Sequence, residues 1–298
     1  MYEVPSQGGR RIVVTGANSG LGKEATKRLA AAGAEVIMAV RTPAKGEAAR
    51  AEIEAEVPGA RLDVRRIDLA DLASVREFAA GIVADDRPLH TLVNNAGVMA
   101  PRQRFETTDG FELQFGSDYL GPFALTEQLL PKLLTADAPR VVTMSSTVAQ
   151  IGHIHLDDLK GEHRRYRPFR EYGQAKLANL LMATRLADIA RERGWTLRSV
   201  AAHPGYTRTN LQTAGANLGR EKHRPPSDRA LFYTQDVAHG TEPLLFAIAD
   251  PAAENGAYYG PRNGMRGRTR KLGLPRSARR SDGAALWAAA EALTGTTL

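Results

Sequence analysis

Short apolar, β-branched segments alternate along this chain with longer segments of helical period. The first strand, at residues 12–15, runs directly into a glycine-rich turn, and a helical stretch ending at Gly33 follows it. This alternation is typical of βαβ units, which build a parallel sheet with helices on both faces. The pattern continues along the 298 residues without an internal repeat or a low-complexity linker. We therefore predict an α/β fold with one doubly wound domain over residues 1–298.

The periodicity predicts seven strands with helices between them. Strands are predicted at residues 12–15, 36–40, 62–67, 92–93, 141–144, 198–202 and 257–259. Helices are predicted at 43–56, 109–134, 172–193, 237–249 and 284–293, and another begins at Asp71, which suits an N-cap. Pro122 is expected to deform the helix over 109–134. Residues 206–229 lack periodicity, and we interpret this long loop as a substrate lid.

The composition is that of a globular protein, with 43% hydrophobic and 24% charged residues. The chain has no Cys, which excludes disulfides, thiolate metal sites and Cys nucleophiles and fits a reducing compartment. His153 and His155 lack a third ligand nearby, so we expect no metal site. No apolar run approaches the roughly 20 residues of a membrane span. The first ten residues lack the apolar core of a secretion signal, and we expect a cytoplasmic protein.

The net charge of +7 is concentrated near the end of the sequence. Eight basic residues and no acid lie in the segment 262–280: Arg262, Arg266, Arg268, Arg270, Lys271, Arg276, Arg279 and Arg280. Without them the chain would be close to neutral, so we do not expect nucleic acid as a partner. This basic segment is predicted to be a loop, either as solvated surface or as a surface that attracts anions.

The turn after the first strand has the pattern of a nucleotide site. Glycines at a strand-to-helix turn let the backbone approach a pyrophosphate, which the helix N-terminus stabilises. The residues predicted to bind it are Gly16, Asn18, Ser19, Gly20, Leu21 and Gly22. At the end of the second strand, where an acid would select NAD, the chain has Arg41. A guanidinium there suits the 2′-phosphate of NADP(H), which we predict as the cofactor. Further contacts are expected from the ends of the third and fourth strands: Asp68, Leu69, Asn94, Ala96 and Gly97.

Tyr172 and Lys176 are the candidate catalytic pair. They are four residues apart in a predicted helix, so both side chains can act on one site. A nearby ammonium and a positive nicotinamide ring stabilise the phenolate and would lower the pKa of the Tyr172 hydroxyl, which suits an acid or base near neutrality. Ser145 and Ser146 end the fifth strand at the same edge of the sheet, where a hydroxyl could hold a substrate oxygen.

Taken together, these motifs resemble the short-chain dehydrogenase/reductase family, in particular its retinol-dehydrogenase-like branch. The segments that match in order and spacing are 15–22, 94–97, 146, 172–179, 203–205, 286–287 and 293–295. The resemblance covers roughly residues 10–295 and implies a seven-stranded Rossmann sheet and hydride transfer between a nicotinamide and a carbonyl or alcohol. It implies that Ser146, rather than Ser145, is the catalytic serine. It adds Pro204, Gly205, Thr207 and Thr209 to the cofactor-binding residues, beside Tyr172 and Lys176.

The chain departs from the family pattern at Asp118. The family usually has Asn there, where it helps to organise a water molecule near the catalytic Lys. A carboxylate could pair with Lys176, but its negative charge would oppose ionisation of Tyr172. Two interpretations stay open: the backbone carbonyl of Asp118 does the work and the side chain is tolerated, or the chemistry is altered.

The leading hypothesis is an NADP(H)-dependent oxidoreductase. An epimerase or dehydratase with a retained cofactor, and a non-catalytic NADPH-binding partner protein, are the alternatives. The basic segment 262–280 could fold over the edge of the sheet that carries Tyr172. Together with the arginines of residues 164–170 and with Tyr166, Phe169 and Tyr206, it predicts a site mouth that is positive outside and aromatic within. Such a mouth favours an anionic or carrier-bound apolar substrate. The sequence leaves the oligomeric state open, a homo-oligomer included.

Overall fold

Eight strands form one sheet in the order β3-β2-β1-β4-β5-β6-β7-β8. The structure is a computed structural model, and it describes residues 1–209, 211, 215, 217–219 and 234–298. The strands are β1 (Arg11–Thr15), β2 (Glu35–Val40), β3 (Arg61–Arg66), β4 (Thr91–Asn94), β5 (Arg140–Met144), β6 (Arg198–Ala202), β7 (Tyr258–Pro261) and β8 (Thr269–Leu272). The strand order reverses between β1 and β4, and the carboxyl ends of parallel strands open a crevice at such a point.

Helices cover both faces of this sheet. They are α1 (Gly20–Ala31), α2 (Pro43–Glu56), α3 (Leu72–Val83), α4 (Leu113–Phe115), α5 (Gly121–Leu133), α6 (Pro168–Glu192), α7 (Val237–Gly240), α8 (Glu242–Ala249), α9 (Arg276–Arg280) and α10 (Gly283–Thr294). A π-helical turn, Gly116–Leu120, joins α4 to α5, and the 3-10 helix Thr147–Ile151 follows β5. None of the helices in the described part of the chain is long and apolar enough to cross a membrane.

Each face of the sheet has its own apolar core. On one face Leu29 of α1, Ile53 of α2 and Leu245 of α8 pack against the strands. On the other face the core includes Leu129 of α5 and Leu186 of α6. The central strands β1, β4 and β5 are buried along their whole length because they are covered from both sides. The predicted doubly wound α/β fold is confirmed.

The predicted strand count was wrong by one. The basic segment contains β8, which pairs antiparallel with β7 at the edge of the sheet, and the short helix α9. Arg270 and Lys271 occupy the centre of β8, and charged side chains are common on edge strands, where they discourage pairing with other chains. Because these central residues are charged, apolar periodicity did not indicate a strand here. The sheet is therefore eight-stranded, with one antiparallel edge, and the basic segment is not a plain loop.

Helix boundaries near the site also differ from the prediction. Helix α6 begins at Pro168 rather than at Tyr172, since proline suits the first helical position, where its missing N–H costs nothing. The helix predicted over 109–134 begins only at Leu113, and a π-helical turn interrupts it. Asp109 lies before it and accepts a hydrogen bond from the backbone N–H of Leu72. The predicted cap of α3 is confirmed, with Asp71 accepting from two backbone N–H groups. Most of the predicted lid, 206–229, lies outside the described residues.

Candidate active site

The glycine-rich turn between β1 and α1 is too tight for side chains. Gly16 and Gly20 have φ angles of +68° and +53°, a region that favours glycine. A Cβ on Gly22 would lie 2.3 Å from the carbonyl oxygen of Gly16 and 2.6 Å from Asn95 Nδ2. The three glycines thus let the chain turn directly into α1 beside the carboxyl end of β4.

Thr15 and Asn95 hold this turn in place, although the sequence analysis gave neither of them a role. The Asn95 amide donates to the carbonyl oxygen of Thr15 at 2.8 Å. The Thr15 hydroxyl accepts from the backbone N–H groups of Asn95 and Ala96, each at 3.0 Å. Thr15 lies in the predicted motif 15–22 and Asn95 in the motif 94–97. This position was the only sign in the sequence that they support the site.

The N-terminus of α1 fits an anionic group. The Ser19 side chain makes no capping hydrogen bond to α1 among the described residues, whereas α3 and α10 are capped by Asp71 and Asp282. Uncapped N–H groups at a helix N-terminus are a favourable place for a phosphate. Thr209 lies above this turn, because a Cβ on Gly20 would be 3.5 Å from the Thr209 side chain. Arg41 is exposed at the end of β2, the strand next to β1. These residues together fit a dinucleotide with a phosphate on its ribose.

The other predicted cofactor residues lie at the same edge, but several of their side chains are used within the protein. Asn94 is buried, and its amide donates to Thr126 of α5 at 2.9 Å. Thr207 is also buried, and its hydroxyl donates to the carbonyl oxygen of Pro204 at 2.8 Å. The Asp68 carboxylate accepts from the backbone N–H of Ala70. The amide nitrogen of Asn94 and the hydroxyl of Thr207 are thus engaged within the protein.

Ser146, Tyr172 and Lys176 meet at the carboxyl edge of β5. Lys176 Nζ lies 5.4 Å from the centre of the Tyr172 ring. Ser146 follows β5, and its hydroxyl accepts from the backbone N–H of Val148 at 3.3 Å. It lies close enough to Tyr172 to lower the pKa of the Tyr172 hydroxyl. Ser145 is buried, and its hydroxyl donates to the carbonyl oxygen of Lys176 at 2.7 Å. The geometry therefore separates the two serines, with Ser145 supporting α6 and Ser146 facing the tyrosine.

Asp118 forms a buried ion pair with Lys176. Its Oδ2 lies 3.0 Å from Lys176 Nζ, and its Oδ1 accepts from the backbone N–H of Val98 at 2.6 Å. Asp118 belongs to the π-helical turn Gly116–Leu120, and such turns often occur at functional sites. Gly97 packs over the pair, since a Cβ there would lie 3.0 Å from Asp118 Oδ2 and 3.1 Å from Lys176 Nζ. The side chain of Asp118 is therefore directed at Lys176, beside Tyr172.

The charges of this cluster oppose one another at Tyr172. Burial raises the pKa of the Tyr172 hydroxyl, Lys176 lowers it, and the Asp118 carboxylate raises it again. Burial lowers the pKa of Lys176, but the pairing with Asp118 outweighs it, so that the pKa is raised and the ammonium stays charged. The net effect keeps Tyr172 protonated at neutral pH. Lys176 lowers this pKa in the predicted direction, but within the chain itself burial and the Asp118 carboxylate outweigh the ammonium.

His203 supports the turn that carries Pro204 and Gly205. Burial lowers the pKa of its imidazole to about 4, so the ring is neutral. Its Nδ1 accepts from the backbone N–H of Gly205 at 3.1 Å, and the ring packs on Tyr258. The rings of His153 and His155 contact each other edge-on, with centroids 4.5 Å apart. Within the described ranges, no group of three His, Asp or Glu side chains is placed to hold a metal ion.

A sequence model of the short-chain dehydrogenase family matches residues 10–217, which include the glycine turn, Asp118, Ser146, Tyr172 and Lys176. The chain belongs to the short-chain dehydrogenases. Mouse retinol dehydrogenase 12 is 45% identical to this short-chain dehydrogenase over 204 residues, which are 68% of the chain and 63% of the mouse protein. The match therefore spans less than two thirds of that relative. The retinol-dehydrogenase-like branch expected from the motifs is confirmed.

Two solved structures extend the comparison to the fold. A protein of uncharacterised function from Mycobacterium paratuberculosis is 42% identical to this short-chain dehydrogenase and superposes with a TM-score of 0.81, over 99% of this chain and 96% of the other. A short-chain dehydrogenase from Shigella flexneri, solved in complex with NADP, is 25% identical with a TM-score of 0.66, over 87% and 99% of the two chains.

Proposed function

We propose that this short-chain dehydrogenase is an NADP(H)-dependent oxidoreductase that interconverts a carbonyl compound and an alcohol. The observation that carries the proposal is the convergence of Ser146, Tyr172 and Lys176 beside the glycine-rich turn. When bound, the nicotinamide supplies or accepts the hydride at the substrate carbon. The exposed Arg41 and the NADP found in the Shigella flexneri protein support the phosphorylated cofactor.

The residues of the chain supply binding and proton transfer. Ser146 donates a hydrogen bond to the substrate oxygen and polarises the carbonyl group, and the Tyr172 hydroxyl gives that oxygen its proton in the direction of reduction. Lys176 stays charged and stabilises the phenolate that Tyr172 leaves behind. Asp118 holds Lys176 in place and counterbalances part of its charge. A phenol that stays protonated at neutral pH suits reduction better than oxidation.

The test is the consumption of NADPH across a panel of aldehydes and ketones. Steady oxidation of NADPH with the appearance of the matching alcohol supports the proposal. Conversion of a substrate without net change in NADPH would instead indicate an epimerase or dehydratase, and tight NADPH binding without any turnover would indicate a non-catalytic protein.

The replacement Asp118→Asn is expected to move the pH–rate profile of carbonyl reduction to lower pH, by on the order of one unit. Reduction requires protonated Tyr172, so its rate falls as pH rises through the pKa of that hydroxyl. The carboxylate raises this pKa, and removing its charge lowers it, so the fall begins at lower pH. The profile of kcat/KM against pH measures the shift.

Glu112→Gln is the matched control for this measurement. Glu112 is a neighbouring buried carboxyl group whose pKa is raised to about 7 by burial, and it accepts from the backbone N–H of Phe115 instead of contacting Lys176. Its replacement should leave the alkaline limb in place. An unmoved limb in Asp118→Asn would show that the carboxylate does not act on Tyr172.

The proposed substrate is apolar, and anionic or carrier-bound. Retinol, named in the mouse relative, is an apolar alcohol, and the exposed Arg165, Arg167 and Arg170 stand just before Tyr172. Arginines near a site speed the capture of anions, and salt screens this effect. We expect kcat/KM to fall steeply with ionic strength for an anionic carbonyl compound and to stay flat for its neutral analogue. Parallel curves for the two compounds would contradict an anionic substrate.

A further inference from the structure

Exposed apolar side chains gather on one edge of the sheet. The large apolar residues that are exposed in the described part of the chain are Met1, Val83, Ile151, Leu156, Phe169, Leu218 and Met265. The last five of them lie in segments that follow the carboxyl ends of β5, β6 and β7. Ile151 is 72% exposed and Phe169 is 56% exposed, and exposed apolar side chains that gather in one region mark interaction sites. The same edge carries Ser146 and Tyr172.

Exposed arginines lie on the same segments as four of these apolar side chains. On the two segments 151–170 and 262–280, outside strand β8, they are Arg165, Arg167, Arg170, Arg262, Arg266, Arg268, Arg276, Arg279 and Arg280. None of the nine pairs with a carboxylate within 4.0 Å among the residues that the structure describes. The exposed acids on these two segments are Asp157 and Glu162. We call the nine arginines together with Ile151, Leu156, Phe169 and Met265 the rim.

Direct contacts attach the rim to the proposed active site. The Ser277 hydroxyl of α9 donates to the carbonyl oxygen of Ala149 at 2.7 Å, which fixes the basic helix against the 3-10 helix that follows Ser146. The backbone N–H of Tyr206 donates to the carbonyl oxygen of Met265 at 2.8 Å, which fixes the β7–β8 loop beside Gly205. Phe169 lies in the first turn of α6, three residues before Tyr172.

We propose that the rim binds the surface of an anionic lipid bilayer, so that the proposed active site opens towards the lipid. Arginines at such a surface are attracted by the negative headgroups, and apolar side chains beside them enter the boundary of the acyl chains. If the partner of the rim were a dissolved anion, the arginines alone would attract it. That explanation would leave the solvent exposure of Ile151 and Phe169 without a reason. The bilayer accounts for both kinds of side chain.

Delivery of an apolar substrate from the bilayer rests on the proposed oxidoreductase function, but membrane binding does not. The test therefore measures binding without turnover. The full chain is sedimented with vesicles of phosphatidylcholine, with or without a minor fraction of phosphatidylglycerol, and the partition coefficient is determined. We expect partition into the vesicles that contain phosphatidylglycerol and little into phosphatidylcholine alone.

Two rim variants and two matched controls locate the contact. Ile151→Ser combined with Phe169→Ser should lower the partition coefficient at least about tenfold. Arg276→Gln, Arg279→Gln and Arg280→Gln together should lower it on the order of a hundredfold. Val83→Ser is the apolar control, since Val83 is 44% exposed, like Met265, but ends α3 at the opposite edge of the sheet.

The charge control is the triple replacement of Arg76, Arg191 and Arg193 by Gln, which removes equal charge from exposed positions on α3 and at the far end of α6. Both controls should leave the partition coefficient unchanged, and equal melting temperatures would show that all variants are folded.

Failure to sediment with anionic vesicles would overturn the proposal, as would equal losses in the rim and control arginine variants. If the Ile151 and Phe169 replacements leave the partition coefficient unchanged, the proposed entry of apolar side chains into the bilayer is wrong. Capture by polyglutamate without binding to vesicles would overturn the proposal in favour of an acidic protein.

Discussion

Tyr172→Phe is expected to abolish turnover while leaving the binding of NADPH nearly intact. In the proposed reaction the hydroxyl transfers the proton, and a positioned acid contributes about a hundredfold to ten-thousandfold to a rate. The ring of Tyr172 is buried in α6 and packs beside Lys176, and phenylalanine preserves that packing. We therefore expect kcat to fall by about a thousandfold or more, with a dissociation constant for NADPH within about threefold of that of the original protein.

Tyr119→Phe is the control for this result. Tyr119 is equally buried, and its ring packs between Phe115 and Phe123, with ring centroids 5.1 Å and 5.9 Å away. Removing its hydroxyl should change neither kcat nor the affinity for NADPH appreciably. Steady-state rates and the quenching of protein fluorescence by NADPH give the two quantities. If Tyr172→Phe retained most of the activity, the proton would have to come from another group.

Arg41→Ala is expected to raise the Michaelis constant for NADPH about tenfold to a hundredfold and to change that for NADH little. A charge-assisted hydrogen bond contributes about 1.5–3 kcal/mol, and the 2′-phosphate that would receive it is absent from NADH. The exposed position of Arg41 at the end of β2 means that its loss should not disturb the core. The ratio of kcat/KM for the two cofactors is the measurement.

Arg50→Ala is the matched control for the cofactor experiment. Arg50 lies within α2, the helix that follows Arg41, where it pairs with Glu47 and Glu54 and keeps 38% of its side chain exposed. Its replacement should leave the preference between NADPH and NADH unchanged. Equal effects of Arg41→Ala on both cofactors would contradict a contact with the 2′-phosphate.

Local patterns in the sequence predicted the fold and most of the candidate site. The glycine turn depends on backbone conformation, and the Tyr172–Lys176 spacing depends on helical period, so both are visible in a short stretch of residues. The pairing of Asp118 with Lys176 was foreseen as possible, because the charges are complementary. Its geometry was not, since the π-helical turn that brings Asp118 there leaves no clear periodic mark.

The features that the sequence did not predict depend on tertiary contacts. Strand β8 is recognisable only beside β7, because its central Arg270 and Lys271 do not follow an apolar pattern. Thr15 and Asn95 act through hydrogen bonds to each other's backbone across 80 residues of sequence. The exposure of Ile151 and Phe169 is likewise a property of the folded surface, since their residue types would suit a core equally well.

The short segment from Asn95 to Val98 connects the glycine-rich turn to the ion pair of Asp118 and Lys176. At one end Asn95 holds the glycine turn through Thr15, and at the other end Val98 holds the Asp118 carboxylate. Between them, Gly97 sits so close to Asp118 and Lys176 that any larger residue would push the pair apart. The proposed cofactor site and the proposed site of proton transfer therefore share one short piece of backbone. Substitutions in this piece should change both properties together, so attempts to alter the cofactor preference independently of the rate should leave residues 95–98 untouched and work from the end of β2.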